Sequence, residues 1–168
     1  MTLDNSEILV QMAHEVLMQV RHHPYTPAQA AEIPNILACK AAYFFGNDLN
    51  DEEVLTEVYV PEGFTSFWNS APGLTDVQAQ VAQQLFMVDN NKMVPTHQGT
   101  NHVIWFMDDT HARCLMRMHD MHTYKDNDDT YSGYGIYIDD YEKGEDGIWR
   151  MKVLRLDYGS FFGDLRYD

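Results

Sequence analysis

Cysteine is nearly absent. Cys39 and Cys114 are the only two in 168 residues, too few for a disulfide framework. Basic residues are scarce as well: 11 Lys and Arg stand against 26 Asp and Glu, a net charge of −15. That balance argues against nucleic acid or an anionic membrane as partner, and its plain consequence is solubility. No apolar run comes near the roughly 20 residues of a membrane span. The stretch Leu3 to Val20 carries Asp4, Glu7 and Glu15 and has no signal-peptide pattern. No glycine-rich phosphate loop precedes a helix, so no nucleotide cofactor is expected. Neither an internal repeat nor a low-complexity linker is present. What remains is one domain over residues 1–168, soluble and cytoplasmic, with 45% apolar residues to build a core.

Before residue 91 the apolar spacing is helical. Ile8, Met12, Val16 and Val20, joined by Leu9 and Leu17, make one face of a first helix. Asn5 or Ser6 can cap it, and it ends near His22-His23-Pro24. Thr26-Pro27 is a cap followed by proline at the first helical position, and Pro34 is expected to break or restart that helix. From Asn35 to Phe45 nearly every face is apolar, Lys40 excepted, which marks a helix buried on most sides. Gly46-Asn47 is expected to end it. A short acid-capped helix through about Tyr59, a strand from Phe64 to Trp68 and a helix from Val77 to about Val88 follow.

After this the period changes to two. Four strands are predicted at about 94–107, 111–124, 131–142 and 147–158, and the aromatic tail from Gly159 is expected to pack back on the body. Helices followed by a long-stranded meander indicate an α+β domain. One strongly curved antiparallel sheet would wrap the buried helix as a cone-shaped barrel, with Gly133 and Gly135 as places to bend.

Five of the eight histidines lie between Val94 and Lys125. In the second strand Ala112, Cys114, Met116, Met118 and Asp120 share one face. An acid at the end of an apolar row must be paired, protonated or used. His97, His102, His119, Asp120 and His122 would be enough ligands for a metal. But His119 and Asp120 point to opposite faces and no short helical ligand motif is present, so no metal is expected.

Four segments in order carry a family pattern: AAYFFGND, THQGTNHVI, DDTHARCLMRMHD and YIDDYEKGEDGIWRM. Over roughly Ile33 to Tyr158 the chain resembles the nuclear transport factor 2-like superfamily and, within it, the SnoaL-like branch. Its pattern is similar to dehydratases of the bile acid 7α and scytalone types and, more loosely, to the hexachlorocyclohexane dehydrochlorinase. The resemblance implies a homodimer or homotrimer and a pocket containing Tyr43, Asp48, His97 and Asp120. Two positions depart from the bile acid pattern. Phe67 stands where a pocket tyrosine is expected, and Tyr158, with Arg155 nearby, where an arginine is.

The chemistry of those four residues suits an elimination or a double-bond shift. A histidine is the natural base near neutral pH, and a carboxylate on its other nitrogen fixes the tautomer. Asp48 would do this for His97. Tyr43 would donate to an oxygen, and Asp120, with a raised pKa, would hold or protonate it. Phe44, Phe67, Trp105, Met116, Met118 and Trp149, with Tyr158, would line the pocket for a small hydrophobic, ring-containing substrate. Each residue also has a bland reading: Asp48 a polar group after a helix end, Tyr43 plain core, His97 a satisfied histidine at a strand start. A non-catalytic binding or interaction module of the same fold is the alternative.

Overall fold

The computed structural model describes residues 5–69, 71–90 and 92–162, with the backbone alone for residues 5, 6, 90 and 160–162. The capping of the first helix by Asn5 or Ser6, and the tail beyond residue 162, lie outside the description.

The first helix, α1 (Asn5–His22), packs on the third and fourth strands. The second, α2 (Pro27–Leu49), starts with a reciprocal cap: Thr26 Oγ1 accepts from the Gln29 N–H at 3.2 Å, and Gln29 Oε1 accepts from the Thr26 N–H at 3.0 Å. Pro34 does not break it; the helix runs straight through. Proline removes a hydrogen bond and crowds the preceding turn, at about 3 kcal/mol. The same helix buries Ile36, Tyr43 and Phe44 in the core, each worth roughly 1.5–3 kcal/mol, so burial outweighs the break. Nor does Gly46-Asn47 end it. The stop comes at Asn50, left-handed at φ 56°, whose N–H reaches the Asn47 carbonyl. Gly46 is small for another reason: a Cβ there would meet Leu55 at 3.0 Å. Leu55 belongs to α3 (Glu52–Glu57), capped by Asp51.

Strands β1 (Thr65–Trp68) and β2 (Ala71–Pro72) precede α4 (Val77–Asn90). Four long strands follow: β3 (Met93–Phe106), β4 (His111–Tyr124), β5 (Thr130–Lys143) and β6 (Trp149–Phe162). The fold is α+β, with one curved six-stranded sheet that does not close. Its order is β2-β1-β6-β5-β4-β3, antiparallel except for β1 beside β6. β6 continues to Phe162, so the start of the expected tail is strand. α2 packs against β3 and β6 across the inner face. No described helix is long and apolar enough to cross a membrane.

β4 alternates as its sequence implies. Ala112, Cys114, Met116, Met118 and Asp120 are buried in turn, and the row continues through His122 and Tyr124. Two neighbouring strands do not keep a constant period. β3 slips by one residue against β4 between Thr100 and Val103. β6 slips against β5 opposite Asp140 and Tyr141. Each bulge moves every later side chain to the other face.

Candidate active site

The sheet and helices enclose a cavity of about 380 Å³ at the end where β3 begins and β4 finishes. Tyr43 and Asn47 of α2, Trp68, Met93, His97, His122, Tyr131, Tyr137, Leu156 and Tyr158 line it, with a row of residues from α4. At the opposite end of the sheet Phe106, Ala112 and Trp149 belong to the buried hydrophobic core, with the Phe106 and Trp149 rings in contact. A more open groove of about 590 Å³ lies between α2, α3 and the β5–β6 turn. Of the candidate residues only Trp149 reaches that groove.

His97 follows Met93 and Pro95 on the inner face of β3. Its Nδ1 is 2.6 Å from Asp48 Oδ1, and its backbone N–H also donates to the same carboxylate at 3.1 Å. An ionised carboxylate only accepts, so Nδ1 carries the proton and Nε2 keeps its lone pair. Phe44 lies parallel to the imidazole, with ring centres 6.2 Å apart. Asp48 is in the last turn of α2, not after its end, and stands behind His97 rather than on the cavity wall. The 140° between Tyr43 and Asp48 on one helix suits this division. Tyr43 faces the cavity while Asp48 reaches sideways to β3.

Asp120 pairs with His97 across the β3–β4 ladder. It is 1% exposed; its Oδ2 accepts from Tyr158 Oη at 2.7 Å, and among the described residues its Oδ1 makes no full hydrogen bond, although the Gly133 backbone acts on the carboxylate. Burial raises its pKa against the opposing pull of the Tyr158 hydrogen bond and of His97. A Cβ at Gly133 would collide with this carboxylate, so a strand neighbour without a side chain makes room for it. Burial also raises the Tyr43 and Tyr158 hydroxyls, leaving both as neutral donors at physiological pH.

His122 was read only as one member of a rejected ligand cluster, yet it lines the cavity with its ring centre 5.3 Å from that of His97. Its Nδ1 meets the Tyr131 hydroxyl; its Nε2 makes no hydrogen bond among the described residues and faces Asp120 Oδ2 at 3.8 Å. The signal was available, since His122 is two residues beyond Asp120 in the same buried row. His97, Asp120 and His122 are the three of the five proposed ligands that converge. Their nearest ligand atoms lie within 4.8 Å of one another. Ligands about 2.1 Å from a tetrahedral zinc lie only about 3.4 Å apart, so these side chains would have to close in to hold one.

Several residues expected in the lining are elsewhere. Trp105 shares its parity with His97, but the β3 bulge between them turns it outward, to a shallow hollow beside Tyr25. Phe67 is also outside, opposite Arg155, whose guanidinium sits 4.1 Å over its ring; its neighbour Trp68 faces in. Trp149 is at the packed end, donating to Glu32 Oε2 at 2.8 Å. Phe44, Met116 and Met118 are core residues that do not line this cavity. Tyr158 does line it, and the β6 bulge decides the matter. Met151 is inward before the slip, and Leu154, Leu156 and Tyr158 after it, with Arg155 outward.

Residues 28–155 match the SnoaL-like domain. The chain belongs to that family. Among solved structures, a scytalone dehydratase-like protein from Novosphingobium aromaticivorans superposes with a TM-score of 0.76 at 21% identity, over 85% of this chain and 94% of that one. The hexachlorocyclohexane dehydrochlorinase LinA-type3 from Novosphingobium barchaimii gives 0.70 at 13%, over 83% and 94%. ActVI-ORFA from Streptomyces coelicolor gives 0.64 at 12%, over 75% and 96%. These likenesses show that the SnoaL-like chain shares its fold with these proteins. No curated protein matches the sequence.

The buried histidine of this SnoaL-like domain has a measurable consequence. Burial, helped by His97, lowers the His122 pKa to about 3. The unfolded chain takes up a proton near pH 6.5 that the folded protein refuses until about pH 3, so stability is lost as pH falls between those values. The slope approaches 1.4 kcal/mol per pH unit. Asp120, with its raised pKa, works in the opposite direction over part of this range. The comparison is therefore between wild type and His122→Asn. Urea unfolding at pH 6.5, 5.5 and 4.5 should give a flatter acid limb for the variant, and equal limbs would count against a neutral, buried His122.

Proposed function

We propose that the protein is a cofactor-independent lyase or isomerase acting on a small hydrophobic, ring-containing molecule. The observation that carries this reading is the 2.6 Å bond from Asp48 to His97 Nδ1, which leaves Nε2 as a free base beside a mostly apolar cavity. In the proposed reaction Nε2 takes a proton from a carbon next to a carbonyl, and Asp48 stabilises the imidazolium that forms. The electron pair moves towards the carbonyl and then returns to expel a hydroxyl from the β carbon, the one adjacent to the deprotonated carbon. Tyr43 and Asp120 hold or protonate the departing oxygen, Asp120 acting through Tyr158, which bridges it to the cavity. Water leaves and a conjugated double bond remains. If the proton returns to another carbon instead, the double bond shifts. The names of the two neighbouring structures, a dehydratase-like protein and a dehydrochlorinase, agree with elimination chemistry.

The test is a screen of cyclic β-hydroxyketones for loss of water, followed by ultraviolet absorbance of the conjugated product, with deuterium uptake from heavy water as a second readout. Turnover or exchange that disappears in His97→Ala supports the reading. Tight binding without either favours the binding-module alternative.

A homodimer or homotrimer goes with this proposal. Met121 and Tyr134 are large, exposed side chains on the outer sheet face, which the half-buried Leu115 shares further along β4. Light scattering at micromolar concentration is expected to give a mass of two or three chains, and a monomer would refute the assembly.

A further inference from the structure

One wall of the cavity has no part in the chemistry proposed above. α4 contributes Gln80, Gln83, Gln84, Met87 and Val88 to the lining, a single stripe at helical spacing. Its first half is amide and its second half apolar. From its apolar end the chain continues into β3, the strand that carries His97.

Two of these amides are buried with hydrogen-bonding capacity unspent. Gln80 is fully buried, and among the described residues neither its Nε2 nor its Oε1 has a hydrogen-bond partner. Gln84 accepts from the Tyr59 hydroxyl through Oε1 at 3.1 Å, and its Nε2 has no full hydrogen bond. The amide also acts on the Tyr43 hydroxyl as a weak hydrogen-bonding neighbour. Polar groups left unpaired in a protein interior are rare, because burying them costs free energy that an apolar side chain of similar size would not. An amide that both offers and accepts, at the wall of a cavity, is suited to a group that also does both. Among the described residues the lining contains no lysine or arginine. Lys40 is below it, tied to Asp139 at 2.8 Å, and Arg155 points outward. No described lining residue carries a permanent positive charge to neutralise a carboxylate, sulfate or phosphate, and the chain as a whole carries −15.

We infer that Gln80, with Gln84 one helical turn further along α4, forms a second polar subsite that reads an uncharged hydroxyl or carbonyl on the substrate. This rests on the cavity being the substrate site. Gln84 holds the near side, next to Tyr43, and Gln80 sits about 6 Å beyond it along the helix axis. The substrate accordingly carries an oxygen at the reacting end and another roughly a ring's width away, and no charge at either. Specificity among ring-containing molecules comes from these amides rather than from the His97 side.

Calorimetric binding of three probes that have no hydroxyl to eliminate tests the subsite apart from catalysis. These are 2-naphthol with one oxygen, 2,6-dihydroxynaphthalene with two, and 6-hydroxy-2-naphthoate with a charge in place of the second hydroxyl. Wild type is expected to bind the dihydroxy compound about tenfold more tightly than 2-naphthol, the effect of one well-made hydrogen bond, and the naphthoate more weakly than either. Gln80→Leu and Gln80→Met should bind 2-naphthol as wild type does and lose the preference for the second hydroxyl. Their unfolding midpoints without ligand should equal or exceed that of wild type, since they remove unpaired polar atoms. Retention of the preference in both variants would overturn the inference. So would a wild type with no preference, or with no binding of any probe, and so would lowered midpoints in both variants, which would make Gln80 a structural residue. The two readings fail separately. A Gln80-dependent preference in a protein that turns nothing over keeps the subsite and removes the lyase. Turnover that needs His97, with an unchanged KM in Gln80→Leu, keeps the lyase and removes the subsite.

Discussion

Lys40→Met is expected to cost about 3–5 kcal/mol of stability at neutral pH, as measured by urea unfolding. Lys40 sits in the middle of α2 with both it and Asp139 about 1% exposed, and their charged atoms are 2.8 Å apart. The ammonium also lies 3.3 Å from the ring centre of Tyr137 and 4.3 Å from that of Tyr43. Burial lowers the Lys40 pKa and raises that of Asp139, and their mutual attraction opposes both shifts. Removing the lysine leaves the carboxylate alone in the core. Its folded pKa then rises further above the unfolded value of about 3.9. A group raised in this way favours folding below the unfolded pKa and loses that contribution as pH rises through the folded one. The deficit of the variant should therefore grow with pH above about 4, until Asp139 ionises in the folded protein. Lys40→Met combined with Asp139→Asn should recover most of the loss, because the amide oxygen can still accept from the Arg155 N–H that Asp139 now holds at 3.0 Å. A single variant as stable as wild type, with no change in pH dependence, would show that the pair is not a buried ion pair.

The second large effect is on turnover. A general base contributes about 10² to 10⁴ in rate, and His97→Ala should lower kcat by about that factor with the fold intact. The imidazole packs on Phe44 and is held by Asp48, but the core of α2, β4, β5 and β6 does not depend on it. Asp48→Asn should do comparable damage by a different route. An amide can donate to Nδ1, which would move the ring proton to Nε2 and abolish the base. Substrate affinity should change little, since Asp48 does not line the cavity. The measurement is kcat and KM for a compound found in the hydroxyketone screen. A His97→Ala protein turning over at the wild-type rate would end the assignment of His97 as base.

Local chemistry written in the chain is legible wherever a short stretch carries its own period or cap. Thr26-Pro27 starts a helix because the side chain and the fixed φ act on neighbouring backbone alone. β4 reads correctly from end to end because no bulge interrupts its alternation. The sequence pattern also carried the inward direction of Asp120 and the family pattern of Tyr43, Asp48, His97 and Asp120. The α4 stripe at positions 80, 83, 84, 87 and 88 was equally readable, but glutamine at helical spacing does not announce which side is buried.

Other features depend on partners far away in the chain. A bulge is a mismatch between two strands, so the slip after Thr100 that turns Trp105 away from His97 exists only once β3 meets β4. The same holds for Phe67, which faces outward because parallel pairing sets it beside Arg155 and leaves Trp68 inside. Pro34 stays within α2 because the burial of that helix exceeds the lost hydrogen bond, and burial is a property of the packed molecule. Lys40 looked like an exception in an apolar helix until β5 brought Asp139 to it. By itself the sequence determined the order and type of the main elements and the direction of the apolar row ending in Asp120, because these follow from neighbours within a few residues. The tertiary structure alone decided which aromatic side chains meet the cavity, that His122 stands beside His97, and that Gln80 is buried unpaired, because each of these requires strands and helices distant in sequence to share one space.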